Sequence, residues 1–307
     1  MSGVLILTPN PALDLGYRVD RQRIGVTQRV REVTTRPGGK GVNVARVLNT
    51  LGIPVTTIQP LGGPTGDRIE TALRDRGIPV VACPIRGETR RTVTVHDGID
   101  HPTMLGEPGP VITTPEWAAL SRLLLTRLAT HSTLVIAGSL PPETDTRMVG
   151  DWIRLAQTQG VHTVVDVSGA ALISAAQARA DVLAPNAAEA MEATGTHEVD
   201  AAATALLALG ARTVVLSRGA EGLRGYTAAG TRSVPAVPGI SGNPTGAGDA
   251  VTAGLVRALE AGADLLESLE GAAALGAAAV LSPVAGELDP ADADRFDALL
   301  HTSEASR

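Results

Sequence analysis

Cysteine, aromatic side chains and lysine are all scarce in this chain of 307 residues. Cys83 is the single cysteine, which excludes an intramolecular disulfide and any cysteine-rich zinc site. Aromatics make up 2% of the residues, so Val, Leu, Ile and Ala must fill the core, and no ladder of rings is available for stacking nucleic-acid bases. The net charge of −6 leaves no global basic field to attract nucleic acid or a membrane surface. No apolar run approaches the about 18 residues of a membrane span. The early run Val4–Leu7 is too short for a signal peptide and lacks its basic flank, so a cytoplasmic location is the expectation. The histidines at 96, 101, 131, 162, 197 and 301 are scattered without metal-ligand spacing and read as surface residues.

The scarcity of lysine is informative in itself. Of 26 basic residues only Lys40 is a lysine, and it lies inside Pro37-Gly38-Gly39-Lys40-Gly41. A compact ammonium fits beside a phosphate or hydroxyl in a glycine-crowded turn where a planar guanidinium would not. The following residues Val44, Val47, Leu48 and Leu51 recur at helical spacing, so the glycines open a helix with Asn43 in its first turn. Unpaired N–H groups and the helix dipole make such an entry a place for an anion. Neither a Walker loop nor a Gly-x-Gly-x-x-Gly Rossmann opening occurs.

A second entry of this kind is Gly246-Ala247-Gly248-Asp249, followed by helical spacing of Ala250, Val251, Gly254, Leu255 and Ala258. The small residues leave backbone donors converging on one point. A carboxylate beside that point could take a proton from an attacking hydroxyl. A glycine turn with Asp249 as a helix cap accounts for the same local pattern.

Along the chain, strands alternate with helices. Strands are expected at Val4–Thr8, 55–60, 78–81, 133–137, 163–167, 181–183 and 213–217, with helices at 68–76, 114–129, 199–209, 249–261 and 264–281. Loops carrying Gly, Ser, Asn and Asp follow the strands, the pattern of a parallel sheet with a site along its strand C-termini. Asp14, after Pro9-Asn10-Pro11, reads either as a ligand contact or as a turn former. Residues 15–36 and 89–96 break the rhythm. They alternate like exposed strands, with Arg29 and Arg31 on a face with Val33 and a hairpin turn at Asp97-Gly98, and could pair as a small separate antiparallel sheet.

Three motifs together, in order and spacing over essentially the whole chain, resemble the PfkB (ribokinase-like) carbohydrate kinases. They are Gly38-Gly39-Lys40-Gly41-Val42-Asn43-Val44-Ala45-Arg46, Pro185-Asn186-Ala187-Ala188-Glu189, and Gly246-Ala247-Gly248-Asp249 with Gly254. Thr8-Pro9-Asn10-Pro11-Ala12-Leu13-Asp14, Thr89-Arg90 and Gly138-Ser139-Leu140-Pro141-Pro142 resemble the branch of 1-phosphofructokinases, tagatose-6-phosphate kinases and minor 6-phosphofructokinases.

The resemblance implies a single ribokinase-like domain over 1–307, a three-layer α/β/α fold with a mostly parallel sheet, and a β-sheet lid from strands within about 14–37 and 88–107. It implies ATP and Mg²⁺ as cofactors and a homodimer through the lid. Asp249 would be the catalytic base, with the backbone of Gly246, Ala247 and Gly248 holding the moving phosphoryl group. Asp14, Gly39, Lys40, Asn43, Arg90 and Ser139 would hold the sugar phosphate. Asn186, Ser217, Gly219 and Gly222 would face ATP, and Glu189 the metal through water. The implied reaction phosphorylates a ketohexose phosphate, with fructose 1-phosphate first and fructose 6-phosphate or tagatose 6-phosphate as alternatives. A kinase of free sugars or nucleosides fits less well, because a neutral acceptor does not need both Arg90 and Lys40. A non-catalytic sugar-binding regulator would not need Asp249. Three positions depart from the branch. Thr92 stands where Asn is common, Ala184 where Lys is common, and Pro244-Thr245 precedes the Gly-Ala-Gly-Asp turn. Arg218 is a candidate to compensate for Ala184.

Overall fold

The computed structural model describes residues 3–99 and 102–304. In chain order its elements are β1 (Gly3–Leu7), β2 (Ala12–Arg18), β3 (Glu32–Gly38), α1 (Lys40–Thr50), β4 (Val55–Leu61), α2 (Gly63–Arg74), β5 (Val80–Pro84), β6 (Arg90–His96) and β7 (Thr103–Gly106). They continue with α3 (Thr114–Leu128), β8 (His131–Ala137), α4 (Arg147–Thr158), β9 (His162–Asp166), α5 (Gly169–Gln177), β10 (Val182–Leu183), α6 (Ala187–Thr194) and α7 (Val199–Leu209). The chain ends in β11 (Thr213–Ser217), β12 (Leu223–Thr227), β13 (Gly230–Val234), α8 (Ala247–Glu260), α9 (Leu269–Leu281) and α10 (Pro290–Glu304).

Among the described residues the large sheet has the order β13-β12-β11-β10-β9-β8-β1-β4-β5. All neighbours are parallel except the β11–β12 and β12–β13 pairs. Alternating side chains of one strand feed two cores. On β1, Val4 and Ile6 pack with α1, α8 and α9, whereas Leu5 and Leu7 pack with α3, α4 and α5. This makes three layers, helix over sheet over helix. Small residues let α8 and α9 approach closely: a side-chain carbon added at Gly254 would lie 2.6 Å from the Ala272 Cα.

The parallel strands end on one edge, and polar residues gather there. Asn10 follows β1, Ser139 follows β8, Asp166 ends β9, Asn186 follows β10 and Ser217 ends β11. An isolated parallel bridge between Asn186 and Ser217 carries the sheet pattern one step further and sets those two residues side by side.

The second sheet has the order β3-β2-β6-β7. It differs from the sequence expectation in three ways. β2 begins at Ala12, so Asp14 lies within a strand and is not a turn former. The central pair β2–β6 is parallel, although β3 and β7 run antiparallel to their partners. Asp97-Gly98 is not a two-residue hairpin turn, because the β6–β7 pairing ends with Val95 opposite Thr103. Residues 100 and 101, with His101, lie outside the described residues. Arg29 and Arg31 precede β3, and Arg31 binds Asp20 there with its Nη2 at 2.5 Å. Helix α2 starts five residues before the expected Arg68, with Pro64 in its first turn where a missing N–H costs nothing. No helix among the described residues is long and apolar enough to cross a membrane.

Candidate active site

A cleft of about 1070 Å³ lies between the strand ends of the large sheet and one face of the small sheet. Strand alternation decides which small-sheet residues face it. Asp14, Gly16 and Arg18 of β2, Thr34 and Arg36 of β3, and Thr92, Thr94 and His96 of β6 all line the cleft. Their in-between neighbours Leu13, Tyr17, Val33, Val93 and Val95 belong to the opposite face. At the end of β3, a side-chain carbon at Gly38 would sit 1.9 Å from Asp14 Oδ2. Glycine there leaves room for the carboxylate to reach the cleft.

The floor is built by the two glycine-led helix starts. Gly246 is the N-cap of α8 in the left-handed conformation, with φ 86°, which glycine adopts without strain. Asp249 therefore sits in the first turn and is not the cap. Its buried Oδ2 accepts from Asn43 Nδ2 on α1 at 2.8 Å. Burial pushes the Asp249 carboxyl up from 3.8 to about 7, and the nearby charge of Asp166 adds to this. The Asn43 amide and the Lys40 ammonium act in the opposite direction. Asp14 rises to about 6 through burial, against the pull of Arg90, Thr92 and Arg46.

Lys40 stands between two carboxylates, with Nζ 2.8 Å from Asp166 Oδ1 and 3.1 Å from Glu189 Oε1. Burial alone would lower its pKa, but Asp166 and Glu189 more than offset this and hold the ammonium charged. Asp166 is itself pushed upward by burial, with Lys40 opposing. Asn186 and Glu189 form a capping box on α6. Glu189 N donates to Asn186 Oδ1 at 2.8 Å, and Asn186 N donates to Glu189 Oε2 at 3.0 Å. Arg90 Nε donates to Asn10 O at 3.1 Å, and Asn10 Nδ2 donates to Ser139 Oγ at 3.2 Å, so the β6 cation is tied to two strand-end loops.

The cleft thus brings together Asp14, Gly39, Lys40, Asn43, Arg90, Ser139, Asn186, Glu189, Ser217, Gly246, Gly248 and Asp249. Ala247, Gly219 and Gly222 do not line it. The Ala247 N–H is already taken, donating to Pro244 O at 3.2 Å. Gly222 has a packing role, since a side-chain carbon there would lie 2.1 Å from Val234 O. Arg218 turns to Glu221 in its own loop, at 3.4 Å, and does not line the cleft beside Ala184.

Asp166, Asn243 and Arg36 line the cleft and were not singled out from the sequence. Asp166 carried one usable signal, a carboxylate at the C-terminal end of a parallel strand followed by Ser168-Gly169.

A model of the pfkB family carbohydrate kinases matches residues 12–292. The chain belongs to that family. It is 30% identical to a tagatose-6-phosphate kinase of Staphylococcus epidermidis, over 98% of each chain. It is 31% identical to a 1-phosphofructokinase of Haemophilus influenzae, over 94% of each. Phosphofructokinase-2 from Escherichia coli, solved in complex with potassium, superposes with a TM-score of 0.92 at 29% identity, covering 98% of this chain and 100% of that one. The protein is therefore a carbohydrate kinase acting on a sugar phosphate, with the ribokinase-like fold.

Proposed function

We propose that this kinase transfers the γ-phosphoryl group of ATP to a primary hydroxyl of a ketohexose phosphate, with fructose 1-phosphate as acceptor and fructose 1,6-bisphosphate as product. The observation that carries the reading is a buried carboxylate, Asp249, in the first turn of a helix whose glycine-rich start faces the same cleft.

The residues fit the cofactors. The turn at Gly246 and Gly248 suits phosphate oxygens, because the first-turn N–H groups of α8 have no helical partners. Among the described residues no group of three or more His, Cys, Asp or Glu side chains could hold a metal ion by itself. That suits Mg²⁺, which keeps several waters and takes much of its coordination from phosphates, with Glu189 acting through water. When bound, Mg-ATP supplies the phosphoryl group and neutralises its charge.

In this reading Asp249 accepts the proton of the attacking hydroxyl, and Asn43 fixes which way its carboxylate points. Asp14, Gly39 and Asn43 hold the sugar hydroxyls. Arg90, Lys40 and Ser139 meet the acceptor's phosphate, and Asn186 and Ser217 face the nucleotide. Positioning and charge stabilisation provide most of the rate in phosphoryl transfer. Fructose 1-phosphate, fructose 6-phosphate and tagatose 6-phosphate each carry a phosphate at one end and a primary hydroxyl at the other. A coupled ADP-release assay across these three, with free fructose and ribose as controls, tests the reading. Highest kcat/KM for fructose 1-phosphate is expected. Preference for another ketohexose phosphate would replace the acceptor, and preference for a free sugar would remove the phosphate site.

The same reading takes residues 1–307 as one cytoplasmic kinase unit that forms a homodimer through the small sheet. The side of that sheet away from the cleft carries Val33 and Leu105, 58% and 61% exposed, beside Tyr17 and Val95. Covering apolar side chains of this kind is a strong reason for two copies to associate. Leu105→Asp is expected to give a monomer in sedimentation velocity; an unchanged dimer would move the interface elsewhere.

A further inference from the structure

Glu287 sits where three parts of the kinase meet. Its Oε1 accepts from Arg46 Nη2 on α1 and, at 3.3 Å, from Arg76 Nη1 just beyond α2. It also lies 3.5 Å from Arg36 Nη1 on β3 of the small sheet. Arg46 is 5% exposed, and its Nη1 donates to Ala285 O at 3.0 Å. A buried guanidinium thus grips the 283–287 loop at two points.

The far side of that loop is the glycine turn of the active site. A side-chain carbon at Gly246 would lie 3.0 Å from both Ala285 Cβ and Gly286 N, and Asn243 Nδ2 donates to Pro283 O at 3.2 Å. Its near side is α1, where a side-chain carbon at Gly286 would lie 2.8 Å from Asn43 Cα. Asn43 in turn holds Asp249. The loop is therefore a wall shared by the anion-facing turn and the residue that aims the carboxylate, packed against both without slack. A displacement of about 1 Å in a reacting geometry costs on the order of 100-fold in rate.

We propose that Glu287 is a positioning residue for phosphoryl transfer, carrying the placement of the small sheet through Arg36 and Arg46 to the turn at Gly246 and Gly248 and to Asn43. The inference rests on the reading of that turn and Asp249 as the reaction centre. Removing the Glu287 charge leaves three guanidiniums facing one another, one of them buried, and frees the loop from β3. Glu287 does not line the cleft, so its loss leaves sugar binding largely intact.

The test uses Glu287→Gln, Arg36→Gln and the double variant of the full-length kinase. It measures kcat with saturating ATP, fructose 1-phosphate affinity by calorimetry without nucleotide, and Tm. Glu287→Gln is expected to lower kcat about tenfold with less than a threefold change in sugar affinity; Arg36→Gln, whose side chain also lines the cleft, is expected to lower kcat about threefold at saturating sugar. The double variant is expected to be no slower than Glu287→Gln, because both changes cut the same link. Multiplying effects in the double variant would overturn the proposal, as would a loss confined to sugar affinity. If Glu287→Gln does not fold, Arg36→Gln decides alone: its position is partly exposed, and unchanged kcat there sinks the link. Failure of the underlying reading looks different, since wild type would then not turn over fructose 1-phosphate or Asp249→Asn would remain active.

Discussion

The Asn43–Asp249 hydrogen bond makes a prediction that separates proton transfer from mere packing. Asp249 must be ionised to take a proton from the sugar hydroxyl, and its carboxyl is held at about 7. The limb of kcat/KM on the acid side should therefore fall off below about pH 7, as this quantity reports the free enzyme's groups. Asn43 Nδ2 donates to the ionised carboxylate at 2.8 Å in a buried setting. A hydrogen bond to a charged group contributes about 1.5–3 kcal/mol, and one pKa unit is about 1.36 kcal/mol. Asn43→Leu, similar in volume but without the donor, should thus raise the limb by about 1–2 units, to roughly pH 8–9. At pH 7 the ionised fraction drops from about one half to between about one in ten and one in a hundred. The assay is kcat/KM for the preferred sugar phosphate between pH 5.5 and 10. Asn43 also faces the sugar, so the plateau will fall by a factor that does not depend on pH. The position of the limb is therefore the informative quantity, and titration of the sugar's own phosphate near pH 6 is common to both proteins. A limb that stays in place, or moves toward acid, would refute the role given to this bond.

Three other outcomes follow from the same geometry. Lys40→Met leaves Asp166 and Glu189 facing each other without a cation; a loss of about 1–2 kcal/mol in urea unfolding is expected, less than for a fully buried pair because Lys40 is 36% exposed. Gly246→Ala, at φ 86° with Ala285 at 3.0 Å, should lower Tm and reduce kcat at least tenfold, and native Tm with native kcat would show the turn to be tolerant. Asp249→Asn should stabilise the fold in neutral and alkaline solution. The Asp249 carboxyl is raised in the folded state, so the contribution of this one group to stability is full below about pH 4 and is lost as pH rises through about 7. The variant should therefore have the higher Tm at pH 8 and little advantage at pH 4 by scanning calorimetry; an advantage confined to acid would reverse the sign of the argument.

Much of this site is legible in the chain because its key parts are local. Gly38–Gly41 and Gly246–Gly248 each declare a helix start within a few residues, and Asn186 and Glu189 meet across one turn of helix. What escapes is what depends on distant neighbours. Asp166 looks like any strand-end carboxylate until Lys40, 126 residues away, is brought to it. The parallel β2–β6 pairing could not be read because no turn joins those strands to set their direction. Gly222 reads like a ligand-facing glycine, since close approach to a backbone carbonyl and close approach to a phosphate require the same absent side chain. The cluster of Arg36, Arg46 and Arg76 on Glu287 has no sequence signature, since its members come from β3, α1, the turn after α2 and a C-terminal loop.

The most direct measurement on the account as a whole is turnover and ATP binding by Asp249→Asn at pH 8. A folded variant that binds ATP like wild type but phosphorylates sugar at least about 100-fold more slowly is the predicted result, in keeping with the usual worth of a general base. A variant that folds, binds ATP and keeps near-native turnover would contradict it and take the proton-accepting role away from this carboxylate.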